Sequence, residues 1–591
     1  MIQSFETFIT GGEKLMKWHI GLIVLMSGVF LSLLGAEITP GFYRDDVPRF
    51  GGFELIITND NNYSNPFDYQ EIELTATFTS PDNRELTAYG FYDGDGKGGQ
   101  EGNVWRLRFM PDKVGDWSYS YSWIGSSSKK PNGDDGSFRC EESEFGGPLR
   151  IDEPKGMFVE NARGEPFHMR PYDLHTLGTY GTLDEAIGWG AYLNWSTNTY
   201  TNWVDIVLDT HMGVKKFNSA MINSASATWD GHERTWWLNN DRSLNEFDLE
   251  VYRQYDATLN LMRTWEIYSF PFAHFGAEKR GSQATRAFAR YTAARHWAYY
   301  IFFGWSPSWE SSAWDNYGHV MEEVADVIPY DDILLASQTA QPAYGETIIN
   351  MYMQQVSIRK EDNDYTDLRR QQNRRENWPG FLVGSEDSWA GDDTRKRRTF
   401  WADMMAGIIP VHTEFYKSGW GGHTVTPQVV KMFDWFYEKV RYRHDDWNVR
   451  NALVGSDEGV LCSGIPNLQY IVYSIRSGSV TIDLGEGDYH ISWLNPVSGE
   501  EYNDVGTVEG PGTKTLDAPF DGEFVLLLNQ KVSTKASRSS HSLNVARRRP
   551  RMTILSGASQ KIAPVLLSRG RRFDIRGRMM QKSRKSHAVP Q

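Results

Sequence analysis

The chain has 591 residues, too many for one core and suited to several domains. Charged residues at 23% and hydrophobic residues at 40% exclude a disordered or fibrous chain, and two cysteines exclude a disulfide framework or a cysteine-based zinc site. The net charge is −15 although residues 531–591 hold 16 Lys/Arg against one acid, Asp574, so the body is strongly acidic and repels nucleic acid.

In chain order, Met16-Lys17 is followed by the apolar run Ile20–Met26, which continues to Leu34-Gly35-Ala36. A positive flank, a short apolar stretch and a small-residue end are the pattern of a signal peptide. The run is short for a spanning helix and has no basic stop-transfer flank. The expectation is a start near Met16, removal of residues 1–36, a mature chain from about Glu37, export, and no stable membrane insertion.

Residues 37–150 read as strands. Phe53–Thr58, Glu71–Phe78 and Val104–Phe109 alternate or run β-branched and aromatic, with turn clusters such as Asp60-Asn61-Asn62 between them. Short strands without helices predict a β-sandwich. Asp93-Gly94-Asp95-Gly96-Lys97-Gly98-Gly99 has the look of a calcium loop, but Lys97 replaces a third acid and no Glu closes it, so a glycine-rich loop is the better reading.

Residues 151–445 alternate strand-like and helix-like stretches, the pattern of a (β/α)8 barrel. Expected strands are Phe217–Asn223, Leu259–Trp265, Tyr299–Trp305, Ile333–Ser337, Ile348–Gln354, Gly380–Gly384 and Ile408–His412. Helical patterns cover Leu249–Tyr255 and Ala284–Trp297. Residues 450–529 return to strands: Leu468–Ser474, Gly478–Leu484, Asp488–Trp493 and Gly522–Leu528. The Ser/Arg-rich tail from 530 to 591 reads as disordered. The predicted architecture is therefore a central (β/α)8 TIM barrel flanked by two β-sandwich domains.

The ordered pieces Gly90-Phe91-Tyr92-Asp93-Gly94, Arg108-Phe109-Met110-Pro111, Gly115-Asp116-Trp117-Ser118-Tyr119, Gly136-Ser137-Phe138 and Gly147-Pro148-Leu149-Arg150 resemble a known domain. It is the amino-terminal sandwich of unknown function that precedes apiosidase-like glycoside hydrolases. Trp493-Leu494-Asn495-Pro496-Val497-Ser498-Gly499 is similar to the signature of a small carboxy-terminal sandwich labelled collagen-binding, here read as a bracing domain. Arg572–Met579 has a short likeness to a bacterial sorting tail, but a chance basic tail is the better account.

Barrel enzymes carry their reacting groups at the carboxyl ends of strands. Glu310 and Glu386 follow the apolar runs Ile301–Gly304 and Gly380–Gly384. Glycoside cleavage uses such a pair: one carboxyl protonates the leaving oxygen, and the other attacks the anomeric carbon or activates water. Trp305 and Trp309 offer Glu310 the dry surroundings that raise an acid's pKa. The other carboxylate must stay ionised, and Arg170, Arg263 and His412 are candidate positive neighbours.

The resemblance implies the same pair. Apiosidase-like hydrolases place the acid/base Glu after an Ala-Arg helix, here Ala294-Arg295. They place the nucleophile before a basic helix, here Arg395-Lys396-Arg397-Arg398 with Phe400-Trp401 and Met405-Ala406-Gly407. Many relatives have Asn before the acid/base Glu, where this chain has Trp309, so the sugar 2-hydroxyl contact differs. Glu266, Asp387 and Glu414 are rival acids. Substrate-binding candidates are Asp173, His175, Asn223, Trp265, Trp305, Trp309, Trp389, His412 and Trp420.

No Gly-x-Ser-x-Gly elbow follows a strand, no Walker loop or His-Glu-x-x-His occurs, and no dinucleotide fingerprint precedes a helix, so neither a cofactor nor a catalytic metal is expected. The sequence thus reads as a secreted, retaining glycoside hydrolase acting on a plant or algal polysaccharide or oligosaccharide. A carbohydrate-binding protein without catalysis is the alternative, and a polysaccharide lyase a weaker third.

Overall fold

The computed structural model describes residues 36–152, 156–173, 217–223, 246–264, 266–272, 283–300, 322–331, 334–338, 351–353, 369, 381–384, 393–412 and 425–531. Among them, no helix is long and apolar enough to cross a membrane.

The amino-terminal part is one eight-stranded sheet. Its strands are β1 (Phe42–Tyr43), β2 (Asp46–Pro48), β3 (Gly52–Thr58), β4 (Glu73–Thr79), β5 (Glu85–Tyr92), β6 (Val104–Phe109), β7 (Gly115–Ile124) and β8 (Asp134–Glu141), in the order β1-β3-β6-β5-β4-β7-β8-β2. The edge strands pair in parallel, β1 with β3 and β2 with β8, and the other pairs are antiparallel. β1 and β2 lie at opposite edges yet are joined by Arg44-Asp45 alone, so the sheet must roll until its edges nearly meet.

β5 makes the corner. Its residues Glu85–Tyr89 pair with β4 and Gly90–Tyr92 pair with β6. Gly90 sits at the switch, where a Cβ would collide with Leu74 and lie 2.7 Å from the Arg106 carbonyl oxygen. Leu74, Ala76 and Phe78 alternate inward along β4, and Phe78 stacks on Phe109 at 3.9 Å. Each such ring withdrawn from water contributes roughly 1.5–3 kcal/mol.

A small antiparallel sheet of β9 (Leu149–Ile151), β10 (Val159–Asn161) and β11 (Pro166–Phe167) leads into the middle of the chain. There, β12 (Pro171–Asp173), β13 (Ser219–Asn223) and β14 (Tyr268–Phe272) form a three-stranded parallel sheet. β15 (Ala336–Gln338), β16 (Met351–Met353), β17 (Phe381–Gly384) and β18 (Ile408–Pro410) form a four-stranded one. Among the described residues, a parallel bridge from Tyr172 to His412 links the two.

The expected (β/α)8 TIM barrel is therefore corrected. Among the described residues, the parallel strands form one sheet of three and one of four rather than a single closed ring. The sheet that rolls toward closure is the mixed, mainly antiparallel amino-terminal one. The helices also group by the sheets they serve. Helices α1 (Leu249–Thr264) and α2 (Gln283–His296) meet through Tyr252 and Tyr291 at 4.9 Å and pack on the amino-terminal sheet, where the Tyr291 hydroxyl donates to the Tyr92 carbonyl at 2.8 Å. Helices α3 (Asp393–Ala406) and α4 (Val425–Lys439) meet through Trp401 and Trp435 at 5.9 Å, and Trp401 stacks on Tyr473 of the carboxy-terminal sheet.

That last sheet comprises β19 (Asn448–Val449), β20 (Val460–Ile465), β21 (Gln469–Ser474), β22 (Ser479–Leu494), β23 (Glu501–Asp517) and β24 (Phe524–Gln530), all antiparallel, in the order β19-β20-β21-β24-β22-β23. β20, β21 and β24 are buried on both faces. Leu461, Ile471, Tyr473, Val525 and Leu527 belong to the main core, while Cys462, Tyr470, Val472, Leu526 and Leu528 belong to a second core with Val480, Ile482 and Trp493 of β22. Every tryptophan among the described residues is buried, so the aromatic richness there is spent on packing.

Two expected strands are also corrected. Leu259–Thr264 is the end of α1, because Leu249, Tyr252, Tyr255, Leu259 and Met262 form one buried helical face. Tyr299 and Tyr300, expected to open a strand, form a buried turn after α2.

Candidate functional site

The parallel strands present their carboxyl ends side by side. Asp173 ends β12, Asn223 ends β13, and His412 pairs with Tyr172 on the other side of β12. Asp173 lies opposite Met221, two residues before Asn223. Three of the candidate binding residues thus fall at the ends of adjacent chain segments, the place where parallel sheets receive ligands. His412 is fully buried. Its ring stacks on Phe217 at 5.5 Å and 9°, with Tyr172 and Phe400 edge-on at 5.6 and 6.0 Å. Its backbone N–H donates to the Pro171 carbonyl at 3.0 Å, which anchors it to β12.

Glu310, Glu386, His175, Trp265, Trp305, Trp309, Trp389 and Trp420 lie outside the described residues, as do Asp387 and Glu414. β17 ends at Gly384, two positions before Glu386 in the chain.

The remaining candidates have other work. Glu266 follows α1 rather than a strand. Its φ is 54°, its N–H bonds to the Arg263 carbonyl, and the Ile267 N–H bonds to Met262. This is a Schellman end, with Glu266 as the left-handed residue beyond the helix. Arg170 precedes β12, at the opposite end from the strand-end residues, and pairs with Asp434 at 2.7 Å. Arg263 donates to the Gly41 carbonyl and lies over the rings of Phe42 and Tyr299.

The reading from sequence missed a buried charge network. β6 places Arg106 and Arg108 on one face, and Glu54 of β3 lies opposite Arg108. Arg106 contacts Glu54 and Asp93, each at 2.5 Å; Arg108 contacts Glu54 at 2.8 Å and Asp256 of α1 at 2.9 Å. Arg295 of α2 closes the ring, with Asp93 and Asp256 each at 2.8 Å. Arg108 also donates to the Arg295 carbonyl at 2.6 Å, near the end of α2.

Three buried cations face three buried anions, so the several kcal/mol of desolvation per ion is offset by complete pairing. Burial pushes the Asp256 carboxyl up, but Arg108 and Arg295 outweigh it and hold it well below the usual carboxylate range. Asp93 is lowered in the same way by Arg295 and Arg106. Asp93 is thus committed to arginines, while Asp95 accepts backbone N–H groups of Lys97 and Gly99. That agrees with a glycine-rich loop rather than a calcium site. Among the described residues, no cluster of three His, Cys, Asp or Glu side chains could hold a metal.

The basic helix is a second joint. Arg397 reaches Glu523 at 2.9 Å and Arg398 reaches it at 2.7 Å, and the Tyr473 hydroxyl donates to the same carboxylate at 2.9 Å. Burial raises the Glu523 pKa, but the two arginines bring it below its ordinary value.

Rolled amino-terminal sheet, parallel strands and carboxy-terminal antiparallel sheet together make a multidomain fold. Residues 46–123 match the Domain of unknown function DUF5060. The whole arrangement is similar to a candidate glycoside hydrolase of Bacteroides vulgatus ATCC 8482, with 16% identity and a TM-score of 0.61 over 83% of this chain and 100% of that one. A glycoside hydrolase family 5 protein of the same organism is 12% identical, with a TM-score of 0.48 over 67% of this chain and 96% of that one. No curated protein matches the sequence.

Proposed function

We propose that the chain is an exported, apiosidase-like glycoside hydrolase acting on a plant or algal polysaccharide or oligosaccharide. The fold likeness to the whole length of the Bacteroides vulgatus chain carries this reading. The placement of Asp173, Asn223 and His412 at neighbouring carboxyl ends supports a sugar site there. Glu386 acts as the nucleophile and Glu310 as the acid/base, giving retention of configuration. Glu310 first protonates the leaving oxygen and then takes a proton from the water that releases the glycosyl-enzyme. Trp309, in place of the Asn found in many relatives, sets a different contact beside the scissile bond. The carboxy-terminal sheet braces the parallel strands and does no chemistry.

A polysaccharide panel with product analysis tests the proposal. Glu386→Gln should abolish turnover on every substrate. Glu310→Gln should lose about 10²–10⁴-fold on natural substrates and much less where the leaving group departs without a proton. Azide should rescue Glu310→Gln as a glycosyl azide of retained configuration. Near-normal rates in both variants would remove these two residues from the mechanism, and tight sugar binding without turnover would replace the hydrolase reading with a binding one.

A further inference from the structure

The segment Glu37–Tyr43 runs across the buried charge network and touches both of its sides. On the sheet side, the Glu37 carbonyl accepts from Arg106 at 2.9 Å, the Thr39 N–H donates to Glu54 at 2.7 Å, and the Thr39 hydroxyl accepts from Arg108 at 3.0 Å. On the helix side, the Gly41 carbonyl accepts from Arg263 of α1 at 2.5 Å. Phe42 is 6% exposed. Its ring lies 4.4 Å under the Arg108 guanidinium and edge-on to Tyr299, beyond α2, at 4.9 Å.

The path is cut to fit. Gly41 has φ +83°, and a Cβ there would collide with Arg263 and Asn260. A Cβ on Gly52 would collide with the Phe42 ring. Glu37 and Pro40 are exposed while Thr39 and Phe42 are buried, so the segment presents one face to water and the other to charged groups. It carries little secondary structure of its own, only the two-residue β1, and its seating depends on these few contacts.

We propose that Glu37–Tyr43 is a strap that locks the amino-terminal sheet onto α1 and α2. While seated, it supplies polar partners to Arg106, Arg108, Glu54 and Arg263 and keeps water out of the network. When it lifts, those groups lose partners, water raises the local dielectric, and the ion pairs across the joint weaken. The sheet–helix joint then opens before the carboxy-terminal sheet responds. The strap does not depend on the proposed hydrolase activity.

Hydrogen exchange on the full chain tests this. Thr39→Val keeps shape and removes one hydrogen bond to a buried guanidinium; Phe42→Ala removes the anchor ring. Amides of α1 and α2 should exchange about tenfold faster in Thr39→Val and faster still in Phe42→Ala, with β20, β21 and β24 unchanged. A peptide spanning Glu37–Tyr43 should restore protection to Phe42→Ala when added in excess. Unchanged exchange at α1 and α2 in both variants would overturn the strap. So would acceleration spread equally over the carboxy-terminal sheet, or a peptide that restores nothing.

Discussion

Replacing Glu523 by Gln preserves shape while removing the charge that joins α3 to the carboxy-terminal sheet. Glu523 and Arg397 are each 8% exposed, and Arg398 is 21% exposed. Breaking a buried pair by neutralising one partner costs about 3–5 kcal/mol. The lower end applies here, because Arg397 keeps the Gln428 side-chain oxygen at 2.9 Å and Arg398 reaches water. A loss of about 3 kcal/mol corresponds to a factor of more than 100 in the unfolding equilibrium. Urea unfolding followed by tryptophan fluorescence suits this joint, since Trp401 stacks on Tyr473 at 5.8 Å, beside the carboxylate. The same measurement on Arg397→Met and on the double variant closes a thermodynamic cycle. Coupling of about 2 kcal/mol is expected. Effects that add to within about 0.5 kcal/mol would refute the view that this ion pair carries the joint.

Two further perturbations are accessible to simple measurements. Gly90→Ala should destabilise the amino-terminal sheet by about 1–3 kcal/mol, read as a lower urea midpoint, because the corner of β5 has no room for a methyl group. Asp93, Asp256 and Glu523 are all held below their ordinary values, so their contribution is full above the normal carboxylate range and is lost as pH falls through their folded values. Circular dichroism on acidification should therefore show both joints persisting through pH 4, near the ordinary carboxylate values, and failing below it. Loss of structure already at pH 5 would contradict the pairing described.

Individual flanking strands were legible because alternation is a local property. β6 spans Val104–Phe109 as expected, and β21 and β24 differ from expectation by one or two residues. Gly478–Leu484 and Asp488–Trp493 read as two strands but are one, β22, because Gly485 and Gly487 mark a register shift within a strand rather than a turn. Leu259–Trp265 looked extended when taken alone; only the longer spacing from Leu249 identifies the helix. The buried arginines were hidden for a different reason. Charge argues for the surface unless its partners are known, and Asp256 and Arg295 lie 148 and 187 residues from Arg108. The available signal was Arg106 and Arg108 on one face of an otherwise apolar strand, with Glu54 in a neighbouring one. Of the candidate site, chain order alone could not show that Asp173, Asn223 and His412 end neighbouring segments, since 239 positions separate the first and last.

The two-residue link between β1 and β2 has a consequence for behaviour at high concentration. Open sheets recruit one another through long, flat outer strands with unpaired backbone groups. Here the two outermost strands are only two and three residues long, and the longer ends in Pro48. A neighbouring molecule finds too few free N–H and C=O groups in register to extend the sheet. The amino-terminal part should therefore resist strand-to-strand polymerisation despite a core dense in phenylalanine and tryptophan.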